Sequence, residues 1–470
     1  MKCFINGQWL SLAKQMDVVD PYDNQIIDTV PVATREDMTL AIDYAVDGAK
    51  AALNMATHQR CEILRNVAQS LSDERESFAN IIAREGIKTI REARAEVGRC
   101  VETLRIAAEE ARNLVGETIN FDQMPGSENR IGHFVRTPLG IIAAITPFND
   151  PLNLVAHKIG PAIAAGNAVI LKPHTNTPLS ALMLAKLFDN AGLPKAVLQV
   201  LTGAGREIGD TLITDKRVRM VSFTGGRATG EKIIARAGLK KIGMELGSNC
   251  AAVIMADADF DKAVDSTVSG AYWAAGQNCL HVQRILVEHS IYDKFKQAFI
   301  AKASCYQLGN KLNESTDMGC IIDEKAAQNI ETLLKDSLTK GADLVMGGER
   351  TGTQFQPTLL ENVPKDARLH QEEVFGPVSI LYRFNNLDEA LDIVNDVDFG
   401  LQNGIFTKDL ATALEAAKRM ECGGVLINDT GDYRIDAMPF GGVKGSGIGR
   451  EGVKFAVEEM SEIKMICFNL

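Results

Sequence analysis

The chain has no apolar run of the ~18 residues that a membrane-spanning helix needs. It is also short of positive charge: Lys plus Arg number 50 against 61 Asp plus Glu, a formal net charge of -11. That balance excludes general nucleic-acid binding and attraction to an anionic membrane surface. A local basic pocket remains compatible with it. The amino terminus, Met1 to Gln8, turns polar too soon for the apolar core of a signal peptide. The nine cysteines form no C-x-x-C pair, and there is neither an H-E-x-x-H motif nor a Cys/His cluster at zinc spacing. The expectation is a cytoplasmic protein with free thiols and no metal. Internal repeats, low-complexity tracts and a Pro/Ser-rich linker are missing too, so domains should be knitted together rather than strung in line.

What is present is an ordinary globular composition, 46% hydrophobic and 24% charged over 470 residues, or about three domains' worth of chain. Residues 36–116 carry apolar positions at helical spacing. Beyond them the pattern changes. Short unbroken apolar runs at 141–145, 168–171, 197–201 and 220–223 each close in a Pro or Gly turn. Helical stretches at 152–165, 178–192 and 227–237 lie between them. Strands apolar on both faces and alternating with helices predict a doubly wound parallel sheet, with ligands at the strands' carboxyl ends. A second series follows Gly247: strands at 251–254, 284–287, 378–382, 402–406 and 424–428, and helices at 259–275, 291–303 and 324–340. The apolar run 464–468 reads as a terminal edge strand that needs a partner, such as another subunit. Gly203, Gly205 and Gly209 lack G-x-G-x-x-G spacing and read as helix-packing glycines.

Four segments carry chemistry. Gly276-Gln277-Asn278-Cys279 sets a thiol between a helix and a strand. Met244-Glu245-Leu246-Gly247 ends a strand in a carboxylate, with a glycine that allows close backbone approach. Thr146-Pro147-Phe148-Asn149-Asp150 places an amide in a turn beyond another strand. Gln371-Glu372-Glu373-Val374-Phe375-Gly376-Pro377 puts acids before a turn. Taken singly, each has a plain reading: a packing cysteine, a solvated charge, a turn former and a polar loop. Together, and with Lys172-Pro173, Phe223-Thr224-Gly225, Asn428 and the glycine-rich run 439–452, they resemble the aldehyde dehydrogenase superfamily over nearly the whole chain.

That resemblance implies an α/β fold of two doubly wound domains plus a small β oligomerisation part. Residues 1–118 and 138–246 would bind the dinucleotide, 247–449 would be catalytic, and 119–137 with 450–470 would bridge subunits in a homodimer or homotetramer. It further implies NAD(P)-dependent oxidation of an aldehyde to an acid. Cys279 would be the nucleophile, since an aldehyde carbon releases hydride only after conversion to a tetrahedral adduct. The Asn149 amide and the Cys279 N–H would stabilise the adduct's oxyanion, and Glu245 would activate the water that releases a thioester. Glu373 would hold the nicotinamide ribose and Lys172 the adenosine ribose. Gly225 and Gly226 would face the pyrophosphate. Thr146, Pro147, Phe148, His174, Thr175, Thr224, Leu246 and Phe375 complete the cofactor contacts.

Departures from the family pattern carry information. Where the family often has Glu to hold both ribose hydroxyls, this chain has Thr175, which would not repel a 2′-phosphate; the lean is toward NADP over NAD, with Lys172 and His174 adding charge. Ser248 replaces a common glycine. Asn278 stands where relatives acting on phosphorylated aldehydes can carry Arg, and Asp150 where aromatics or His are common. Arg105 and Arg434 match tunnel walls of relatives that use small anionic aldehydes. The nearest resemblance in these stretches is to lactaldehyde and phosphonoacetaldehyde dehydrogenases, so the expected substrate is a short polar aldehyde, with anionic ones among the candidates. The plain alternative puts Arg105 on a solvated helix face and Arg434 in a surface pair with Asp436. Rival functions are acyl transfer to coenzyme A, a redox-independent cysteine hydrolase or acyltransferase, and a silent scaffold.

Overall fold

A computed structural model describes all 470 residues. The helical region resolves into four helices, Arg35–Asn54, Thr57–Asp73, Arg75–Glu85 and Ile90–Asn113. Two start on capping boxes, Thr34 with Asp37 and Thr89 with Glu92, in which side chains satisfy otherwise unpaired N–H groups.

The first sheet has eight strands. Its parallel centre runs Leu198–Val200, Ala168–Lys172, Ile141–Ile145, Val218–Thr224, Lys241–Glu245 in spatial order. The amino-terminal hairpin Cys3–Ile5 and Gln8–Leu10 extends one side, and Gly447–Ile448 the other. These strands read as unbroken apolar runs because both faces are covered. Ile142, Ala144, Val169 and Leu171 face one helical core, whereas Ile141, Ala143 and Ile170 face another. Each fully buried Ile or Leu contributes about 1.5–3 kcal/mol.

The second sheet orders Asp343–Met346, Thr358–Glu361, Val378–Phe384, Val282–Glu288, Cys250–Ile254, Gln402–Phe406, Gly424–Ile427, all parallel but the first. The chain passes between the sheets at residues 246–249. A three-stranded antiparallel sheet, Glu117–Ile119, Arg130–Pro138 and Ser461–Asn469, stands apart from both.

Two elements differ from expectation. The helix expected over 259–275 ends at Tyr272. Ala274, Ala275 and Gly276 then take positive φ of 50°, 53° and 66°, a left-handed turn that swings the chain toward Cys279. Residues 450–460, grouped with the bridging strands on sequence, instead include the helix Val453–Glu459, whose Val453 and Val457 join the core of the first domain. Their short amphipathic pattern carries no signal of which core they enter.

Arg284 fastens the crossing. Fully buried on its strand, it donates to the carbonyls of Asn249 at 2.9 Å, Ile393 at 2.6 Å and Val394 at 3.0 Å. Burial lowers it to about 10, so it stays charged at neutral pH. Arg284→Ala orphans these carbonyls and is expected to cost about 3 kcal/mol or more. Denaturant unfolding checks this; a loss below about 1 kcal/mol would show that the carbonyls find other partners.

Candidate active site

Strand register assembles the site. Ile145 lies level with Lys172 on one side and Phe223 on the other, and Thr224 level with Glu245. Four neighbouring strands therefore deliver their terminal residues to one edge. The second domain closes on that edge with the Cys279 loop and the Glu373–Phe375 loop. Between them lies a cavity of about 740 Å³.

Every expected catalytic and cofactor residue lines this cavity. Asn149, Glu245 and Cys279 are there, as are Thr146, Pro147, Phe148, Lys172, His174 and Thr175, and so are Thr224, Gly225, Gly226, Leu246, Glu373 and Phe375. Phe148 packs edge-on between His174 and Phe375, with ring centres at 5.2 and 5.6 Å.

Cys279 is half-buried. The turn before it is held from several sides. Glu92, from the capped helix, accepts the Ala274 N–H at 2.8 Å. Gln277 bonds the Cys320 carbonyl at 3.0 Å and the Ile322 N–H at 3.0 Å. Asn278 forms the turn itself, donating to the Trp273 carbonyl at 3.3 Å and accepting the Leu280 N–H at 2.9 Å. Gly276 is required, because a Cβ there would sit 2.1 Å from the Gly376 carbonyl oxygen.

Buried charge tunes the site. Burial, and then Glu245, push the Cys279 thiol well above its ordinary value, with Arg434 pulling the other way. Burial and then Glu451 likewise raise Glu245, against Arg434 and Lys158. Lys158 bridges Glu451 at 3.1 Å and Ser222 at 3.1 Å. Although burial works to raise Glu451, Lys158 and Arg434 bring it down to about 2. Burial raises Glu373 to about 7, opposed by the Ser248 N–H that it accepts at 2.7 Å. Gly247 makes room for that carboxylate, since a Cβ would lie 2.3 Å from its Oε2. Burial lowers Lys172 to about 8. Burial and then Lys172 lower His174 to about 4, so His174 is neutral near pH 7 and brings no charge there.

The substrate residues expected from sequence divide. Arg105 is exposed and paired to Glu102 at 2.5 Å, which corrects its placement in the tunnel. The residue of that helix directed inward is Arg99, six positions earlier and about 240° away around the helix. Arg99 binds Asp436 at 2.8 Å and helps hold the Asp150 carboxyl low. Arg434 is buried, but it pairs with Glu451 at 3.2 Å, not with Asp436, and stacks 3.7 Å over the Phe440 ring. Its Nε has no partner. Arg434, Asp150 and Asn278 do not line the cavity; Asp150 pairs with Lys88, which also binds Glu96 at 2.9 Å.

Some residues were missed from sequence. Arg206, Lys232 and Arg236 line the cavity beside Lys172 and Thr175. The i,i+4 spacing of Lys232 and Arg236 on the helix following strand Val218–Thr224 was the available signal. Gly205 and Gly209 also line the cavity, and a Cβ at Gly209 would meet nothing within 4 Å. They are cavity glycines rather than packing ones.

Two sheets closing on a cavity lined by a thiol, carboxylates and an amide define an α/β protein with the groups of an enzyme active site. The sequence matches the pattern of the aldehyde dehydrogenase family over residues 9–466, and the chain belongs to that family, as its motifs indicated. It is 47% identical to aspartate-semialdehyde dehydrogenase 1 of Pseudomonas canavaninivorans, covering 97% of each chain. It is 44% identical to a 3-sulfolactaldehyde dehydrogenase of Priestia aryabhattai, covering 99% of this chain and 98% of that one. The crystal structure of a glyceraldehyde-3-phosphate dehydrogenase from Methanocaldococcus jannaschii complexed with NADP superposes with a TM-score of 0.94 at 41% identity, covering 98% of this chain and 100% of that one.

A half-buried thiol with a raised pKa reacts faster as pH rises. Iodoacetamide labelling of Cys279 in the free protein is expected to accelerate across neutrality and to be still rising at about pH 9. A plateau below about pH 8 would contradict the burial and charge described here.

Proposed function

We propose that the protein oxidises a short aldehyde carrying an anionic group to its carboxylic acid, using NADP in preference to NAD. The observation that carries this reading is that one cavity is lined both by Cys279, Glu245 and Asn149 and by the basic groups Lys172, Arg206, Lys232 and Arg236.

The residues present fit a dinucleotide. The cavity has the volume of a ligand site. Lys172 is a buried cation whose one acceptor is the adjacent Pro173 carbonyl at 2.9 Å, which leaves it available to a ribose. Glu373 would hold the other ribose. Gly225 and Gly226 open the helix Arg227–Ala237, and a helix N-terminus favours a pyrophosphate. Of the basic groups lining the cavity, Arg236 pairs with Asp210 at 3.0 Å and Arg206 with Glu207 at 3.5 Å, while Lys172 and Lys232 have no carboxylate partner. With Thr175 in place of a carboxylate, this supports a 2′-phosphate.

The chemistry then follows from the chain's own groups. The Cys279 thiolate attacks the carbonyl carbon, and the Asn149 amide with the Cys279 N–H donates to the resulting oxyanion; a donor of this kind is worth about 3–4 kcal/mol. When bound, the nicotinamide supplies the acceptor for the hydride leaving that carbon. A thioester remains on Cys279. Glu245, raised by burial and by Glu451, suits the removal of a proton from the hydrolytic water. A coenzyme A acceptor would need no such carboxylate. We assign the anionic substituent to Arg434, whose side chain is buried with its Nε unpartnered, and to Arg99, both of which lie behind the cavity lining. The three similar proteins described above are named for aldehydes that carry an acidic group. We also read the outer strand Ser461–Asn469, with Ile463 and Phe468 exposed, as an inter-subunit element of a homodimer or homotetramer. The nine free cysteines fit a reducing cytoplasm.

Cys279→Ala should abolish nicotinamide reduction; activity at the parent rate would overturn the reading, as would an acyl-coenzyme A product. Arg434→Met and Arg99→Met should each lower kcat/KM for carboxylated or sulfonated aldehydes about 10- to 100-fold, with a smaller effect on propanal. An unchanged preference for charged over neutral aldehydes would refute the anionic assignment. Glu373 must be ionised to accept a ribose hydroxyl, and Lys172 charged to hold a 2′-phosphate. For NADP, kcat/KM should therefore rise with pH through about 7 and fall again through about 8. Lys172→Met should remove the alkaline fall; its persistence would show another group titrating.

A further inference from the structure

We infer that Ser248 is a positioning residue that ties the nucleophile's peptide to the residue holding the ribose carboxylate. The inference rests on the reading of Cys279 as nucleophile and Glu373 as ribose holder, and assigns a role to a side chain that reading leaves unused.

Ser248 sits in the crossing between the two sheets and is buried. Its neighbours immobilise it. The Leu246 N–H donates to the Ser446 carbonyl at 2.9 Å, and the Asn249 carbonyl is gripped by Arg284. The Asn249 amide donates to the His370 carbonyl at 3.1 Å. On this fixed base the Ser248 hydroxyl lies 3.2 Å from the Cys250 thiol, and Ser248 makes two bonds toward the site. Its N–H donates to Glu373 Oε1 at 2.7 Å. Its hydroxyl donates to the Cys279 carbonyl. Apart from the Cys250 thiol, a weak donor at 3.6 Å, no other group donates to that carbonyl.

The consequence is geometric. The Cys279 carbonyl defines the peptide plane after the thiol-bearing residue. A donor fixed to it limits rotation of that plane, and with it the swing of the Cα–Cβ bond that aims the sulfur. The same residue locates the carboxylate across the cavity. Glycine, common here in the family, would supply the N–H but not the hydroxyl. This chain therefore carries an added restraint on the thiol side alone.

The two bonds are separable by mutation. Ser248→Ala removes the hydroxyl and keeps the N–H. It should lower kcat, and the rate of Cys279 alkylation by iodoacetamide in the cofactor-free protein, each about 3- to 10-fold. KM for the dinucleotide should stay within about twofold, because Glu373 keeps its donor. Ser248→Thr should restore both rates. Parent-like kcat and alkylation in a folded Ser248→Ala would overturn the inference. So would a loss that Thr does not rescue and that moves KM and kcat together with the melting temperature. Should Ser248→Ala fold poorly, the double variant with Cys250→Ser puts a stronger donor beside the same carbonyl. Recovery of alkylation there supports the inference, and a folded double variant without recovery overturns it. Cys279→Ala separates the two levels. If it retains activity, the nucleophile reading fails; if it is dead while Ser248→Ala matches the parent, only the role of Ser248 fails.

Discussion

The site depends on the parallel register of the first sheet. Ile145, Lys172, Phe223 and Glu245 come from strands separated by tens to a hundred residues of chain, yet hydrogen bonding aligns their ends within one step of each other. Slipping one strand by a single residue would turn its terminal side chain to the opposite face of the sheet. The two-sided apolar cores prevent that slip, since Ile141 and Ile142 enter different cores. Packing far from the cavity thus sets the distances within it.

The second domain adds its groups through short, heavily restrained turns. The left-handed stretch at Ala274–Gly276 costs conformational energy of the order of 1–3 kcal/mol per non-glycine residue. It is held by Glu92, which caps a helix of the first domain while it accepts a hydrogen bond from Ala274. One carboxylate therefore serves both the local start of a helix and the approach of the thiol-bearing loop. Gln277 and Asn278 are likewise structural on the evidence of their bonds. The polar character of the motif around Cys279 comes largely from shaping the turn.

Charge around the thiol is nearly balanced rather than one-signed. Lys158 with Glu451, Arg434 with Glu451, Lys88 with Glu96 and Asp150, and Arg99 with Asp436 are all paired. Taking ions out of water is costly unless they are paired and hydrogen-bonded. Glu245 is the exception, as its Oε2 lacks a partner. A carboxylate left so is driven toward its neutral form. Arg206, Lys232 and Arg236, which also line the cavity, are the opposite case: they are exposed, and charges are cheap to keep in water.

Much of this was legible in the chain itself. Unbroken apolar runs ending in Pro or Gly marked the strands, because two-sided burial and strand ends have compositional signatures. The motifs around Asn149, Glu245, Cys279 and Glu373 marked residues that line the cavity, because each motif sits at a strand end or turn where such a lining forms. Which arginine of the helix Ile90–Asn113 points inward was not legible: Arg99 and Arg105 have the same local character, and only the helix's rotation against its neighbours separates them. Nor was the pairing of Arg434 with Glu451, the entry of residues 453–460 into the first core, or the grip of the Ser248 hydroxyl on Cys279. Residue type and order were enough to name the groups and the strands, since these follow from local chemistry and periodicity. Direction, partner and distance belonged to the tertiary structure, since they arise only when segments remote in sequence compete for the same buried space.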